Sequence, residues 1–163
     1  MKIFKRGEDF GTIVDSVEVG TLAPDFEMVN LNNEKVTLED YKGDLVLLSV
    51  FPDINTSVCD TQTRRFFADA NKFEGVKILN VSNNTVEQLD NWCATAGLEV
   101  DMLSDTALSF AKAYGLHIPE VGVLARSIFL VDKDGKVVYK EVLSEVTDEP
   151  NYEAVLEFTK ELV

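Results

Sequence analysis

The chain has 163 residues, 45% of them hydrophobic and 27% charged. That length suits one compact domain burying about two thirds of its unfolded surface, and the composition excludes disordered and fibrous classes. With 15 basic against 29 acidic residues the net charge is −14, which excludes a phosphate-backbone partner, so no nucleic acid is expected as ligand.

In chain order, 2–6 and 12–18 bracket Gly7-Glu8-Asp9-Phe10-Gly11 and predict an N-terminal β-hairpin. Residues 1–19 are thus expected as an extension laid outside the main fold of a single domain spanning 1–163. The start, Met1-Lys2-Ile3-Phe4-Lys5-Arg6, turns acidic at Glu8-Asp9 without an apolar stretch of export-signal length, so a cytosolic protein is expected. Short strands are predicted at 26–30 and 35–37, after Ala23-Pro24-Asp25. The longest apolar run, Leu45 to Phe51, is too short to span a bilayer and predicts a buried strand over 44–51; no membrane partner is expected. A helix at 58–74, a strand at 76–82, a helix at 86–96, a short strand at 101–104 and a helix at 107–114 follow. Strands at 127–132 and 136–143 enclose Lys133-Asp134-Gly135, an Asp-Gly hairpin signal, and a last helix starts near Asn151. This alternation is of the α/β class. Helical crossovers favour parallel neighbours and the Asp-Gly turn forces an antiparallel pair, so a central mixed β-sheet flanked by helices on both faces is expected.

The chemistry-bearing segment runs Phe51-Pro52-Asp53-Ile54-Asn55-Thr56-Ser57-Val58-Cys59-Asp60-Thr61-Gln62-Thr63-Arg64-Arg65-Phe66 and joins the buried strand to a helix. Thr56 at the N-cap places Ser57, Val58 and Cys59 in the first turn, where backbone N–H groups lack intrahelical acceptors and favour a thiolate. Pro52 walls the site without adding a donor, and the Thr56 hydroxyl can donate to one oxygen while accepting from another. Against this stands an ordinary capped helix with an inert buried cysteine. The second cysteine lies in the series Val86, Leu89, Cys93, Ala96, so Cys93 faces the core, as a small apolar residue or as a redox partner. Two cysteines in a cytosolic chain are either inert or a working pair rather than a permanent bridge. Only four arginines occur, Arg6, Arg64, Arg65 and Arg126, so an arginine at a reactive site is a local exception in an acidic protein.

Pro52-x-x-x-Thr56-x-x-Cys59 resembles the peroxidatic motif of peroxiredoxins, and the position of Cys93 resembles the thiol peroxidase branch of the atypical two-cysteine members. Gly122-Val123-Leu124-Ala125-Arg126 is similar to the segment that supplies the family's catalytic arginine, and Thr147-Asp148-Glu149-Pro150-Asn151-Tyr152 extends the likeness to nearly the whole chain. The resemblance implies a thioredoxin-like fold and a cytoplasmic or periplasmic homodimer, of which the cytoplasmic form is expected here, that reduces hydrogen peroxide and organic hydroperoxides, with thioredoxin supplying electrons and no cofactor. It implies that Cys59 attacks the peroxide, that Pro52, Thr56 and Arg126 complete the pocket, and that Cys93 resolves the sulfenic acid into a Cys59–Cys93 disulfide. A peroxide-sensing relay using the same pair without sustained turnover is the alternative, and a non-catalytic thioredoxin-like interaction domain a third reading.

His117, the single histidine, reads as a loop residue rather than a base. Two cysteines and one distant histidine do not compose a zinc site, and no Cys-x-x-Cys pair is present to suggest a thioredoxin-type reductase. Arg64 and Arg65 share the helix of Cys59 and are assigned no catalytic role.

Overall fold

The computed structural model describes residues 1–162. It opens with a hairpin of β1 (Lys2–Lys5) and β2 (Glu8–Thr12). Arg6 and Gly7 both have positive φ, so a two-residue turn reverses the chain and the second strand begins at Glu8 rather than at residue 12. Nor is this segment laid outside the main fold. Ile3 is fully buried, and Ile13 and Val17 enter the same cluster as the central strands.

The remaining elements are β3 (Glu27–Val29), β4 (Lys35–Thr37), β5 (Leu45–Val50), α1 (Ser57–Ala68), β6 (Val76–Ser82), α2 (Val86–Ala96), β7 (Met102–Ser104), α3 (Ser109–Ala113), β8 (His117–Ile118), β9 (Val123–Leu124), β10 (Ser127–Val131), β11 (Val137–Val142) and α4 (Tyr152–Lys160). Seven strands form one mixed sheet in the order β11-β10-β5-β6-β7-β3-β4. β5, β6 and β7 run parallel, as their helical crossovers favour, while β10 is antiparallel to both β5 and β11. His117 lies in the small β8–β9 ribbon rather than in a loop.

Every residue of β5 and β10 is buried because the sheet is covered on both faces. Strand periodicity sorts their side chains. Val46, Leu48, Val50, Phe129 and Val131 meet Phe110 of α3 and Tyr114, whereas Leu45, Leu47, Ile128 and Leu130 meet Phe66 of α1 with Tyr152 and Val155 of α4.

Two helices are shorter than their patterns predict. α1 stops at Ala68, and a 3-10 turn over Ala70–Phe73 then lays Phe73 against Phe66, with ring centroids 5.7 Å apart. α3 cannot start at 107 because Leu108 is left-handed with φ of 62°, and the Asp105 carboxylate accepts the N–H groups of Phe110 and Ala111 from outside the helix.

Candidate active site

On its α1 face β5 reads Leu45, Leu47, Ser49, so a buried hydroxyl ends an apolar row where the strand approaches the helix. Phe51 and Pro52 continue the burial, and the chain then turns. The Asp53 carboxylate accepts the Asn55 N–H (3.0 Å) and the amide of Asn84 (3.0 Å), while the Asp53 carbonyl accepts both the N–H (3.0 Å) and the hydroxyl (2.7 Å) of Thr56. Thr56 therefore occupies the N-cap position with extended backbone, as expected, but its hydroxyl donates backward and does not cap. The first i→i−4 bond of α1 runs from the Asp60 N–H to the Thr56 carbonyl, which leaves the amides of Ser57, Val58 and Cys59 ahead of the ladder.

Cys59 is fully buried. Its Sγ faces two donors, the Asp53 N–H at 3.5 Å and Arg126 Nη2 at 3.4 Å. Arg126 precedes Ile128 by two residues and so projects onto the same sheet face as Ile128, toward α1. It is 2% exposed, and its other donors are committed: Nε to the Val146 carbonyl (2.8 Å) and Nη1 to Gln62 Oε1 (2.9 Å). Gln62, one helical turn after Cys59, passes the network on by donating to Ser49 Oγ (2.7 Å) and the Val50 carbonyl (3.3 Å). The Val146 carbonyl is held by a turn at Glu145, whose carboxylate accepts from the Thr147 hydroxyl and from the N–H groups of Thr147 and Gly7. Those bonds hold its pKa down to about 2.

Cys93 is carried by α2, which starts at a capping box of Thr85 and Gln88 and ends at Gly97. It shares one apolar cluster with Cys59, Phe51, Ile54, Leu89 and Met102. Both cysteines are free thiols. Burial, then the charge of Asp90, push the Cys93 thiol up from its ordinary range.

The fold thus brings Pro52, Thr56, Cys59 and Arg126 to one place and sets Cys93 beside them. Gln62, Ser49 and the Val146 carbonyl, which position Arg126, were not singled out from sequence. The available signals were a serine interrupting a buried apolar strand and a glutamine three residues after the cysteine. Arg64 and Arg65 turn away from the sulfur, toward Asp60 and Asp69. Among the described residues no three His, Cys, Asp or Glu side chains converge to hold a metal ion, and no helix is long and apolar enough to cross a membrane.

The chain is similar to known proteins in sequence and in structure. The sequence model of the AhpC/TSA family matches residues 19–140. A thiol peroxidase of Bacillus subtilis (strain 168) is 41% identical over 160 residues, covering 97% of this chain and 96% of the relative. A thiol peroxidase of Staphylococcus aureus (strain COL) is 46% identical over 142 residues, covering 86% of each. Among solved structures, a peroxiredoxin-like protein from Aquifex aeolicus superimposes with a TM-score of 0.91 at 29% identity, covering 99% of this chain and 97% of that one. The thiol peroxidase from Chromobacterium violaceum gives 0.89 at 20% identity, covering 98% and 96%. The fold is thioredoxin-like.

Proposed function

The chain belongs to the AhpC/TSA family, and on that footing we propose how it works as a thiol-dependent peroxidase: Cys59 attacks the hydroperoxide, Cys93 resolves the product, and Arg126, Thr56 and Pro52 shape the pocket of the first step. The observation that carries this reading is the environment of Arg126. A guanidinium at 2% exposure is costly unless a negative charge answers it. Two of its bonded acceptors, the Val146 carbonyl and Gln62 Oε1, are neutral. The third is Cys59 Sγ, which answers the charge when it is a thiolate.

The thiolate attacks the terminal oxygen of ROOH. An S–O bond forms as the O–O bond breaks, sulfur keeps the OH as sulfenic acid, and RO⁻ leaves with the bonding pair to be protonated as ROH. Arg126 Nη2 and the Asp53 N–H stand where charge is redistributed. The Thr56 hydroxyl donates its hydrogen bond to the Asp53 carbonyl, so its lone pairs remain to accept the O–H of the substrate, and Pro52 walls the pocket without a competing donor. The Cys93 sulfur then attacks the sulfenic sulfur, the S–S bond forms and water leaves. An external dithiol returns two electrons and two protons. An intramolecular disulfide needs Cα atoms within about 7 Å, and this reading takes the two free thiols of the apolar cluster to join by local opening around one or both helix starts, α2 above all.

The same reading takes hydrogen peroxide and organic hydroperoxides as substrates, thioredoxin as the dithiol, a second copy of the chain as partner in a homodimer, and the cytoplasm as the compartment. Family membership supports each. The test is the division of labour between the sulfurs, assayed with thioredoxin, its reductase and NADPH. Cys59→Ser should abolish peroxide reduction. Cys93→Ser should consume about one equivalent rapidly and then stall, with intact mass showing one added oxygen where wild type shows the loss of two hydrogens. Sustained thioredoxin-dependent turnover by Cys93→Ser would remove Cys93 from the mechanism.

A further inference from the structure

The two cysteine-bearing helices are joined by a polar clasp at their exposed edge. Asp60, the residue after Cys59, accepts a hydrogen bond from the indole N–H of Trp92, the residue before Cys93, at 2.8 Å. Its other carboxylate oxygen accepts from Arg64 Nε at 2.9 Å, and the Arg64 guanidinium lies over the Trp92 ring, 5.5 Å from its centroid. Three side chains thus close a ring in which a charge-assisted hydrogen bond and a cation–π contact cross from α2 to α1 and an ion pair within α1 joins the two.

This clasp matters because it is the polar tie in the middle of α2, whose other holds are the apolar cluster that takes Leu89, Cys93 and the partly buried Trp92 ring, and the Asn84 side chain, which bonds Asp53, Ile54 and Gln88 at the start of the helix. Of its 11 residues only Leu89 and Cys93 are buried, whereas α1 buries Cys59, Gln62, Thr63 and Phe66. We infer that the Asp60–Trp92–Arg64 clasp is the positioning device that sets how readily Cys93 leaves its buried place to reach Cys59, and hence how the Cys59 sulfenic acid divides between resolution and over-oxidation. The inference rests on the cysteine roles proposed above. In resolution, Cys59–SOH and Cys93–SH give the disulfide and water. In over-oxidation, Cys59–SOH and a second ROOH give the sulfinic acid and ROH, with Cys93 unused. Peroxide meets the closed form, in which α1 and Arg126 are in place, so the clasp leaves the first step alone and governs the second. Each opening of α2 must break the indole–carboxylate bond, and removing that bond raises the open population.

Trp92→Phe keeps the apolar ring and deletes the donor. Alkylation quench and intact-mass analysis after one equivalent of peroxide should show disulfide formation faster by about tenfold, the factor that one charge-assisted hydrogen bond is worth. The second-order rate of sulfenic acid formation should match wild type. The peroxide concentration that over-oxidises half of the protein per turnover should rise by about the same tenfold. Asp60→Asn, which keeps an acceptor for the indole but loses the charge, should fall between the two. It retains the chain's single tryptophan as a fluorescence reporter of α2 release. Wild-type rates of disulfide formation in both variants would overturn the inference. Wild type that forms no Cys59–Cys93 disulfide would instead overturn the cysteine assignment on which it rests, so the two failures are distinguishable.

Discussion

α1 and α2 each present one sulfur to the same apolar cluster, yet they are anchored by different means. α1 is tied into the sheet from beneath: Gln62 bonds Ser49 and the Val50 carbonyl of β5 and holds Arg126, and Phe66 packs edge-on against Tyr152 at 5.2 Å. α2 is fixed at its ends, by the Thr85–Gln88 box and the left-handed Gly97, and touches the interior through Leu89, Cys93 and the partly buried Trp92 ring. The lesson is a separation of tasks. A nucleophile must be held in line with its substrate, so it belongs on the element with the most buried polar bonds. A resolving thiol must travel, so it belongs on an element whose closure is marginal.

The largest effects should come from loosening the rigid side. Arg126→Lys replaces a planar donor fork by a point charge that cannot serve Val146, Gln62 and Cys59 together, and should slow sulfenic acid formation by about 10²-fold. Gln62→Leu leaves the Nη1 of Arg126 without its acceptor and should slow the same step by about tenfold, with a stability loss of about 1–3 kcal/mol from the unpaired buried donor. Stopped-flow peroxide consumption and thermal unfolding check both. If either variant reacts at the wild-type rate, the polar anchoring of α1 is not what holds the nucleophile in position.

How far the sequence revealed this arrangement depended on range. β6 and α2 were predicted at their observed bounds because apolar spacing at periods of two and 3.6 is a local signal. The ends of α1 and α3 were not, because Phe73 takes a tertiary contact and Asp105 captures the α3 amides, neither visible in spacing. At the site, Pro52, Thr56 and Cys59 lie on one short segment and could be read together. Arg126 stood out as one of four arginines in an acidic chain but was given its role only through a family resemblance, since Gln62 and Arg126 are 64 positions apart and the β5–β10 ladder makes them neighbours. The direction of the Thr56 hydroxyl was illegible for a related reason: the competing acceptor is a backbone carbonyl, which every residue carries.

A smaller effect should follow from weakening α2 at its C-terminal end. Gly97 has φ of 70°, and a Cβ there would meet nothing within 4 Å, so Gly97→Ala introduces backbone strain without a clash. The cost should be about 1 kcal/mol, borne where the Gly97 N–H closes onto the Cys93 carbonyl. Hydrogen exchange over 86–97 should speed up several-fold while exchange in α1 stays unchanged. Equal acceleration in both helices would mean that they open as one unit and that α1 is no more firmly anchored than α2.

The smallest effect is a pH dependence peculiar to the mobile side. Burial first, and Asp90 second, hold the Cys93 thiol above its ordinary range while α2 is closed. In the open state the thiol is hydrated and titrates near the reference value of about 8.5. A closed-state value raised above the open one means that the closed form keeps a proton that the open form gives up. The resulting contribution to closure is full below the open-state value and fades as pH rises through the closed-state value. α2 should therefore loosen in mild alkali, with exchange over 86–96, corrected for the intrinsic base-catalysed rate, rising above neutral pH while α1 holds. Asp90→Asn removes the secondary cause and leaves the burial, so the alkaline loosening should shrink without vanishing. If exchange in α2 stays flat through this range, or Asp90→Asn abolishes the rise altogether, burial of Cys93 is not the force that couples the proton to helix closure.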